Sequence, residues 1–331
     1  MMKKATLLIS SVCNHKCDFC LNIWHNSNIN ETFETFMSFE KIKESIDKLS
    51  NANITNITIC GGEPLLHPDF NKIIDYIYNK KLNIRLQTNG VFLNKEKIDF
   101  FKNKISEIEI SLHGTKEIHN EISHSNSFEK IIKNVNDIIK NNILLTTNFV
   151  INKNNFMDIE NYIYLLNKLN VKAGYFTILY KAGLANRNNL ELTKQQLSEF
   201  IGKINDYSLI SKTKLIFQGC YPPCELNVKN IEFISPCGAG KDEIAIQPNG
   251  TITLCPAHPK AITNIFTINQ TKFNKLINNT QSYLLNESLP KKECNSCSLL
   301  KACRGGCVIN RQGGTENILK EKNNLFKLIN Y

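Results

Sequence analysis

Apolar, β-branched runs recur from the N-terminus to about residue 206, at positions 5–9, 54–60, 84–88, 108–112, 144–151 and 175–179. Between them the apolar residues fall three and four apart, which places them on one face of a helix. That spacing predicts helices over 39–49, 70–78, 95–101, 128–139, 156–169 and 194–204, with Ser38, Ser127 and Thr193 as N-caps. Strand–helix units in this order imply a parallel sheet with right-handed crossovers. Six of them are too few to close a full α/β barrel and leave it open on one side. The strands are followed by Gly61-Gly62-Glu63-Pro64, Asn89-Gly90, His113-Gly114, Asn152 and Gly183. Barrel chemistry sits at this end of the strands, so these loops are expected to ring the active site.

After about residue 210 the rhythm stops. Short strands expected at 214–217, 243–247 and 251–254 join loops that carry cysteine, and Pro248-Asn249-Gly250 marks a hairpin turn. The expected architecture is a partial (β/α)6 TIM-like barrel over residues 1–210, followed by a small cysteine-rich domain over 211–331.

Charge changes this picture little. The 331 residues carry a net charge of +10, but only Arg85, Arg187, Arg304 and Arg311 are arginines. The lysines lie beside Glu and Asp along the helices, as on a solvated surface, and a nucleic-acid partner is not expected. No apolar run reaches the ~18 residues of a membrane span. Met1-Met2-Lys3-Lys4 has the charge of a signal peptide, but the apolar stretch 5–9 is too short and no small-residue cleavage site precedes Cys13. The expectation is a cytoplasmic protein. In a reducing compartment, 12 cysteines argue against disulfides and for metal or redox chemistry.

Cys13, Cys17 and Cys20 form C-x3-C-x2-C in the loop after the first strand. One loop with this spacing can wrap three corners of an iron–sulfur cubane and leave one iron open. It can also form part of a structural zinc site completed by His15 or His25. One helix later comes Gly61-Gly62-Glu63-Pro64, where two glycines allow close backbone approach beside a carboxylate. With Phe19 before the third cysteine, Gln87-Thr88-Asn89-Gly90, Ile110-Ser111-Leu112-His113-Gly114 and Ser127-Phe128, the chain resembles the radical S-adenosylmethionine (SAM) superfamily.

The resemblance implies a SAM-binding 4Fe–4S cluster on Cys13, Cys17 and Cys20, whose open iron takes the amino and carboxylate groups of SAM. It places Gly61, Gly62, Glu63 and Pro64 at the SAM amino group, Phe19 near adenine and Ser111 near the ribose, with Asn89 also on the cofactor side. An electron from the cluster then cleaves SAM to methionine and a 5′-deoxyadenosyl radical, which takes hydrogen from the substrate. Two departures stand out. Relatives often read Ser-x-Asp-Gly where this chain has Ser111-Leu112-His113-Gly114. They often carry His-Asp-x-x-Arg where it has His119-Asn120-Glu121-Ile122-Ser123, so the SAM carboxylate has no assigned partner.

The C-terminal string Cys237-x12-Gly250-x4-Cys255, then Cys294-x2-Cys297-x5-Cys303-x3-Cys307, resembles the SPASM domain of auxiliary 4Fe–4S clusters. A zinc ribbon is the alternative, although Cys294/Cys297 is the one C-x2-C pair in this string. The resemblance implies Cys237, Cys255 and Cys307 on a first auxiliary cluster, with Cys220 or Cys224 as its upstream ligand. Cys294, Cys297 and Cys303 fall on a second. No cysteine follows Cys307, so the second cluster keeps an open iron, takes the spare of Cys220 and Cys224, or uses a non-thiolate ligand. Cys60 reads as a packing residue.

The function so implied is a radical SAM enzyme, an oxidoreductase that modifies a ribosomally made peptide or a protein. Its alternative is a radical SAM dehydrogenase or mutase of a small molecule, such as a sugar, alcohol or cofactor precursor. A third reading is a non-enzymatic iron–sulfur scaffold. One sulfatase-maturing subclass carries an Asp after the Gly-x4-Cys cysteine, and Pro256 at that position counts against it. The first strand begins near Ala5, so a leader-binding step is expected to fall to a separate protein or to the barrel itself. Flavodoxin or ferredoxin is the expected electron donor. The residues alone assign no catalytic acid or base among His113, His119, His258, Tyr180 and Tyr221.

Overall fold

Alternation of residue type already divides the sheet into two faces. Asn-Ile-Thr-Ile-Cys, Asn-Ile-Arg-Leu-Gln-Thr and Glu-Ile-Glu-Ile-Ser put their Ile and Leu on one side and their polar residues on the other. The computed structural model describes residues 2–21, 35–226, 237–287, 292–315 and 317; His25 lies outside them. Seven parallel strands run side by side in chain order: β1 (Lys4–Leu8), β2 (Asn56–Cys60), β3 (Asn83–Thr88), β4 (Glu107–Ser111), β5 (Leu145–Ile151), β6 (Ala173–Ile178) and β7 (Lys214–Gln218). Beyond β1 lie β8 (Glu243–Ile246), parallel to it, and the antiparallel β9 (Thr251–Thr253) and β10 (Thr263–Asn264).

The helices between the strands are α1 (Phe39–Asn51), α2 (Phe70–Asn79), α3 (Lys95–Phe101), α4 (Lys116–Ser123), α5 (Phe128–Lys140), α6 (Ile159–Leu169) and α7 (Lys194–Ser208). The six strand–helix units expected from periodicity are therefore present. Ser38 caps α1 through Lys41 N, and Thr193 closes a capping box with Gln196 on α7. Ser127 precedes α5 but makes no side-chain cap, because its hydroxyl is bonded to His15 Nε2 at 3.1 Å. Residues 156–158 form a 3-10 turn ahead of α6.

Two features differ from the periodicity reading. Helix α4 was not expected, since Ile118 and Ile122 are its only apolar residues. Strands β7 and β8 were expected beyond the barrel but extend its sheet at both sides, against β6 and β1. Their alternating apolar residues, Leu215 and Phe217, Ile244 and Ile246, are buried, and local pattern does not say which edge they join. The C-terminal part adds α8 (Gln270–Glu287), α9 (Leu300–Cys303) and α10 (Val308–Arg311). No helix among the described residues is long and apolar enough to cross a membrane.

Helices cover the apolar face. Phe149 and Phe176, neighbours on β5 and β6, meet Tyr162 of α6 and Phe200 of α7 at ring separations of 4.7–6.2 Å. Burial of each such ring or aliphatic side chain contributes roughly 1.5–3 kcal/mol. The opposite face is polar. Arg85 pairs with Glu109 and, at 3.1 Å, with Glu107, and its guanidinium lies over Tyr175 at 5.1 Å. Gln87 donates to Glu109 at 2.8 Å, and Thr177 donates to Asn148 at 2.6 Å. This face leads up to the loops at the C-terminal strand ends.

Candidate active site

The cysteine loop leaves β1 and runs beside the end of β2. Gly62 N donates to Ser10 O and Glu63 N to Val12 O, both at 2.7 Å. A Cβ on Gly61 would overlap the Ser10 carbonyl, and one on Gly62 the Val12 carbonyl. The two glycines therefore admit the cysteine loop itself to the end of β2, a demand the sequence did not separate from approach to a ligand. On its other side the loop is held by α4, where Lys16 N donates to Ser123 O at 3.2 Å and Asp18 N to Ile122 O at 3.3 Å.

Glu63 is fully buried and fully bonded. Its Oε1 accepts from Leu65 N at 3.0 Å and Thr88 Oγ1 at 2.7 Å, and its Oε2 from Asn89 N at 2.8 Å. Burial pushes its carboxyl up to about 7, against those hydrogen bonds. Asn89 carries the connection onward by donating to Asn14 Oδ1 at 2.7 Å and, weakly, to Cys13 Sγ at 3.8 Å. Glu63 thus ties the ends of β2 and β3 to the cysteine loop; Thr88, quoted within Gln87-Thr88-Asn89-Gly90, had no role assigned, and Asn14 is a partner that motif reading did not single out. Pro64 opens the 3-10 turn Pro64–Leu66 directly behind Glu63.

Phe19 is buried against Ile122, Leu179, Ala185 and Leu190, with its ring edge-on to His113 at 4.7 Å. Ser111 ends β4 half-buried on the polar face, opposite Asn148. Burial pushes the Cys13 thiol up to about 11 and raises that of Cys17 as well, and the charges of the neighbouring thiols add to both. Three thiols gathered this way become thiolates readily only against a compensating positive centre, which an iron cluster provides. Among the described residues, no three or more His, Cys, Asp or Glu side chains converge as the ligands of a single metal ion do. A set of three thiols in one loop is of the kind that would suit three corners of a cubane.

Two buried histidines, His113 and His119, stand behind the loop. His119 Nδ1 accepts from His113 N at 3.2 Å, and His113 Nδ1 accepts from Val150 N at 3.3 Å, so both rings are neutral. His113 orients the ends of β4 and β5, and Asn155 secures it by donating to its carbonyl at 3.1 Å. Burial lowers His119 to about 3 and His113 well below 6.5. Below pH 6.5 the unfolded chain takes up protons that the folded rings refuse, so their stabilisation is complete above that pH and lost as pH falls. Each histidine is expected to cost roughly 1.4 kcal/mol per pH unit below its unfolded value. Urea midpoints measured between about pH 7 and 4.5 check this; a His119→Asn variant with an undiminished slope would refute it.

The C-terminal cysteines separate in space. Cys220 and Cys237 share a thiol hydrogen bond, which favours the thiolate on Cys237 and the thiol on Cys220. Cys255 and Cys307 lie within electrostatic reach of both, and Tyr180 lies within electrostatic reach of all four. The backbone closes the same set, since Cys307 N donates to Cys220 O. Cys224 is exposed beside the Lys194–Glu225 ion pair. Cys294, Cys297 and Cys303 follow one another through a 3-10 turn into α9. Arg311 feels Cys294 and Cys303 on one hand and Cys307 and Cys237 on the other. His258 is buried after Cys255, donating its backbone N–H to the Cys255 carbonyl at 3.1 Å.

Known proteins are similar to this chain in sequence and in architecture. The chain is 27% identical to AlbA, the antilisterial bacteriocin subtilosin biosynthesis protein of Bacillus subtilis, over 79% of its own length and 57% of that protein's. It is 24% identical to the mycofactocin maturase MftC of Mycobacterium tuberculosis, over 91% of its length and 76% of MftC. The crystal structure of Streptococcus suis SuiB bound to precursor peptide SuiA superposes with a TM-score of 0.76 at 18% identity. That match covers 98% of this chain and 74% of SuiB and shows a shared fold. The model of the radical SAM superfamily matches residues 7–166, which contain the cysteine loop, Gly61–Pro64 and the strand ends around them. Residues 7–166 of the chain thus carry a radical SAM domain, and such a domain implies a 4Fe–4S cluster and SAM.

Proposed function

We propose that this protein is a radical SAM enzyme that modifies a ribosomally made peptide or a protein. The three-cysteine loop, clamped between Gly61-Gly62 and α4 at the open strand ends, carries the chemistry of this reading. When bound, the cluster and SAM supply a 5′-deoxyadenosyl radical for hydrogen abstraction. Phe19 lies within the loop, Asn89 donates to its Asn14, and Ser111 ends β4 on the polar face of the sheet, which offers hydrogen-bonding groups. The peptide class is supported by AlbA and MftC, named for the biosynthesis of a bacteriocin and the maturation of mycofactocin, and by SuiB, captured with a precursor peptide.

Residues 1–210 form the SAM-binding part of this reading and residues 211–331 its SPASM-like part, the two sharing one sheet. Cys220, Cys237, Cys255 and Cys307 hold one auxiliary 4Fe–4S cluster, which their grouping around Tyr180 supports. Cys294, Cys297 and Cys303 hold a second, and Cys224, exposed like Cys297, is the spare of the upstream pair. Flavodoxin or ferredoxin supplies electrons in the cytoplasm, and the leader of the substrate is recognised by a separate protein or by the barrel itself.

The test is anaerobic incubation of the reconstituted chain with SAM and a strong reductant, followed by mass spectrometry of a small peptide encoded beside its gene and co-expressed with it. We expect 5′-deoxyadenosine together with a loss of hydrogens from the peptide, or deuterium uptake without mass change in ordinary water. An unaltered peptide with 5′-deoxyadenosine still formed moves the substrate to a small molecule. No 5′-deoxyadenosine at all overturns the enzyme reading.

A further inference from the structure

The loop 179–188, which leaves β6, touches both cysteine-rich regions. Toward the N-terminal loop, Leu184 N donates to Cys20 O at 2.9 Å and Asn188 Nδ2 to Asp18 O at 2.7 Å. Gly183 comes so close, at a left-handed φ of +57°, that a Cβ there would overlap the Cys20 carbonyl. Toward the C-terminal segment, Asn310 Oδ1 accepts from Lys181 N at 2.8 Å and Asn310 Nδ2 donates to Leu179 O at 3.0 Å. Thr315 N adds a bond to Lys181 O at 2.9 Å. Ala182 packs with Ala257, Cys307, Val308 and Ile309, against which Leu21 and Cys255 also rest.

We propose that this loop is a brace through which the C-terminal cysteine segment positions the third cysteine of the SAM-binding loop, with Asn310 as the positioning residue. The proposal rests on the assignment of Cys20 as a cluster ligand. The cysteine loop lacks regular secondary structure and the brace holds only the short 3-10 turn Gly183–Asn186, so a few directed hydrogen bonds fix their conformation. A single side-chain amide that satisfies one N–H and one C=O of the brace holds it at two points. Gly183 and Leu184 transmit that placement to Cys20, while α4 holds the opposite side through Lys16 and Asp18. Seated this way, the α10 segment that follows Cys307 also fixes the SAM-binding loop, although the two lie at opposite ends of the chain.

Amide hydrogen exchange on the whole chain, with and without reconstituted iron, tests the brace. In Asn310→Ala, loss of two hydrogen bonds is expected to speed exchange about tenfold at Leu184, Lys16 and Asp18, with Leu86 and Ile110 of the sheet unchanged. Acceleration confined to Lys181 and Thr315 would mean a local role and would overturn the proposal. Gly183→Ala approaches from the other side and keeps Asn310, so it covers the case in which Asn310→Ala unfolds the C-terminal segment. It is expected to accelerate Lys16 and Asp18 likewise, and unchanged exchange there sinks the brace. In reduced, reconstituted protein, both variants are expected to weaken the SAM-induced change in the electron paramagnetic resonance signal, which a merely structural Asn310 would leave intact. A wild-type chain that binds no iron would defeat the functional reading, and the exchange data would still decide the brace.

Discussion

Cys17→Ala is expected to form no 5′-deoxyadenosine above background and to lose about four irons per chain, the content of one 4Fe–4S cluster. Cys17 is the middle of the three thiols, and its backbone carbonyl also receives Cys20 N at 3.0 Å, so it sets the turn that brings the third thiol round. With the thiol gone, two side chains are left to hold a cubane that needs three corners fixed and one free. Loss of supporting partners around a metal already costs about 10–100-fold in affinity or activity, and loss of a ligand costs more. The fold itself tolerates this change, because one buried sulfur contributes only about 1 kcal/mol of packing. Any iron held by the C-terminal cysteines, as proposed for Cys220, Cys237, Cys255 and Cys307, is expected to be retained, since Cys17 is not among them. Product formation by Cys17→Ala at the wild-type rate would remove the loop from the chemistry.

Gly62→Ala is expected to destabilise the chain by about 2–4 kcal/mol and to reduce iron at the first site together with activity by at least about tenfold. The overlap is with backbone atoms of Val12, which no rotamer change relieves. Relief requires the loop to move away from β2, and both 2.7 Å bonds, Gly62 N to Ser10 O and Glu63 N to Val12 O, go with it. Gly202→Ala is the matched control. A Cβ there meets nothing within 4 Å on helix α7, so this substitution is expected to stabilise by about 0.4–1 kcal/mol. Denaturant unfolding and iron analysis of the two variants separate a steric demand at Gly62 from a general intolerance of alanine. Equal effects of the two substitutions would defeat the argument.

Much of the site was legible because its signals are local. C-x3-C-x2-C, Gly61-Gly62-Glu63-Pro64 and the Gly250 hairpin are spacings within a few residues, and each falls at a strand end as expected. Helix α4 escaped notice because two isoleucines in eight residues give little periodicity, yet its end holds the cysteine loop. The polar face was present in the alternation of Arg85, Gln87, Glu107 and Glu109, but alternation says only that one side is polar. That the charges pair with one another across β3 and β4 follows from register.

By itself, then, the sequence determined the order of strand–helix units, the three-cysteine loop and the division of its 12 cysteines between two regions, since periodicity and spacing act over short stretches of chain. The tertiary structure decided which edges β7 and β8 extend, that Glu63 faces Thr88 and Asn89, and that Ser127 serves His15 in place of a helix end. It also placed Cys220 beside Cys237, and joined Cys20 to Asn310 through one loop. These are pairings between residues far apart in the chain. Burial selects them by requiring each polar group withdrawn from water to find a partner wherever the fold supplies one.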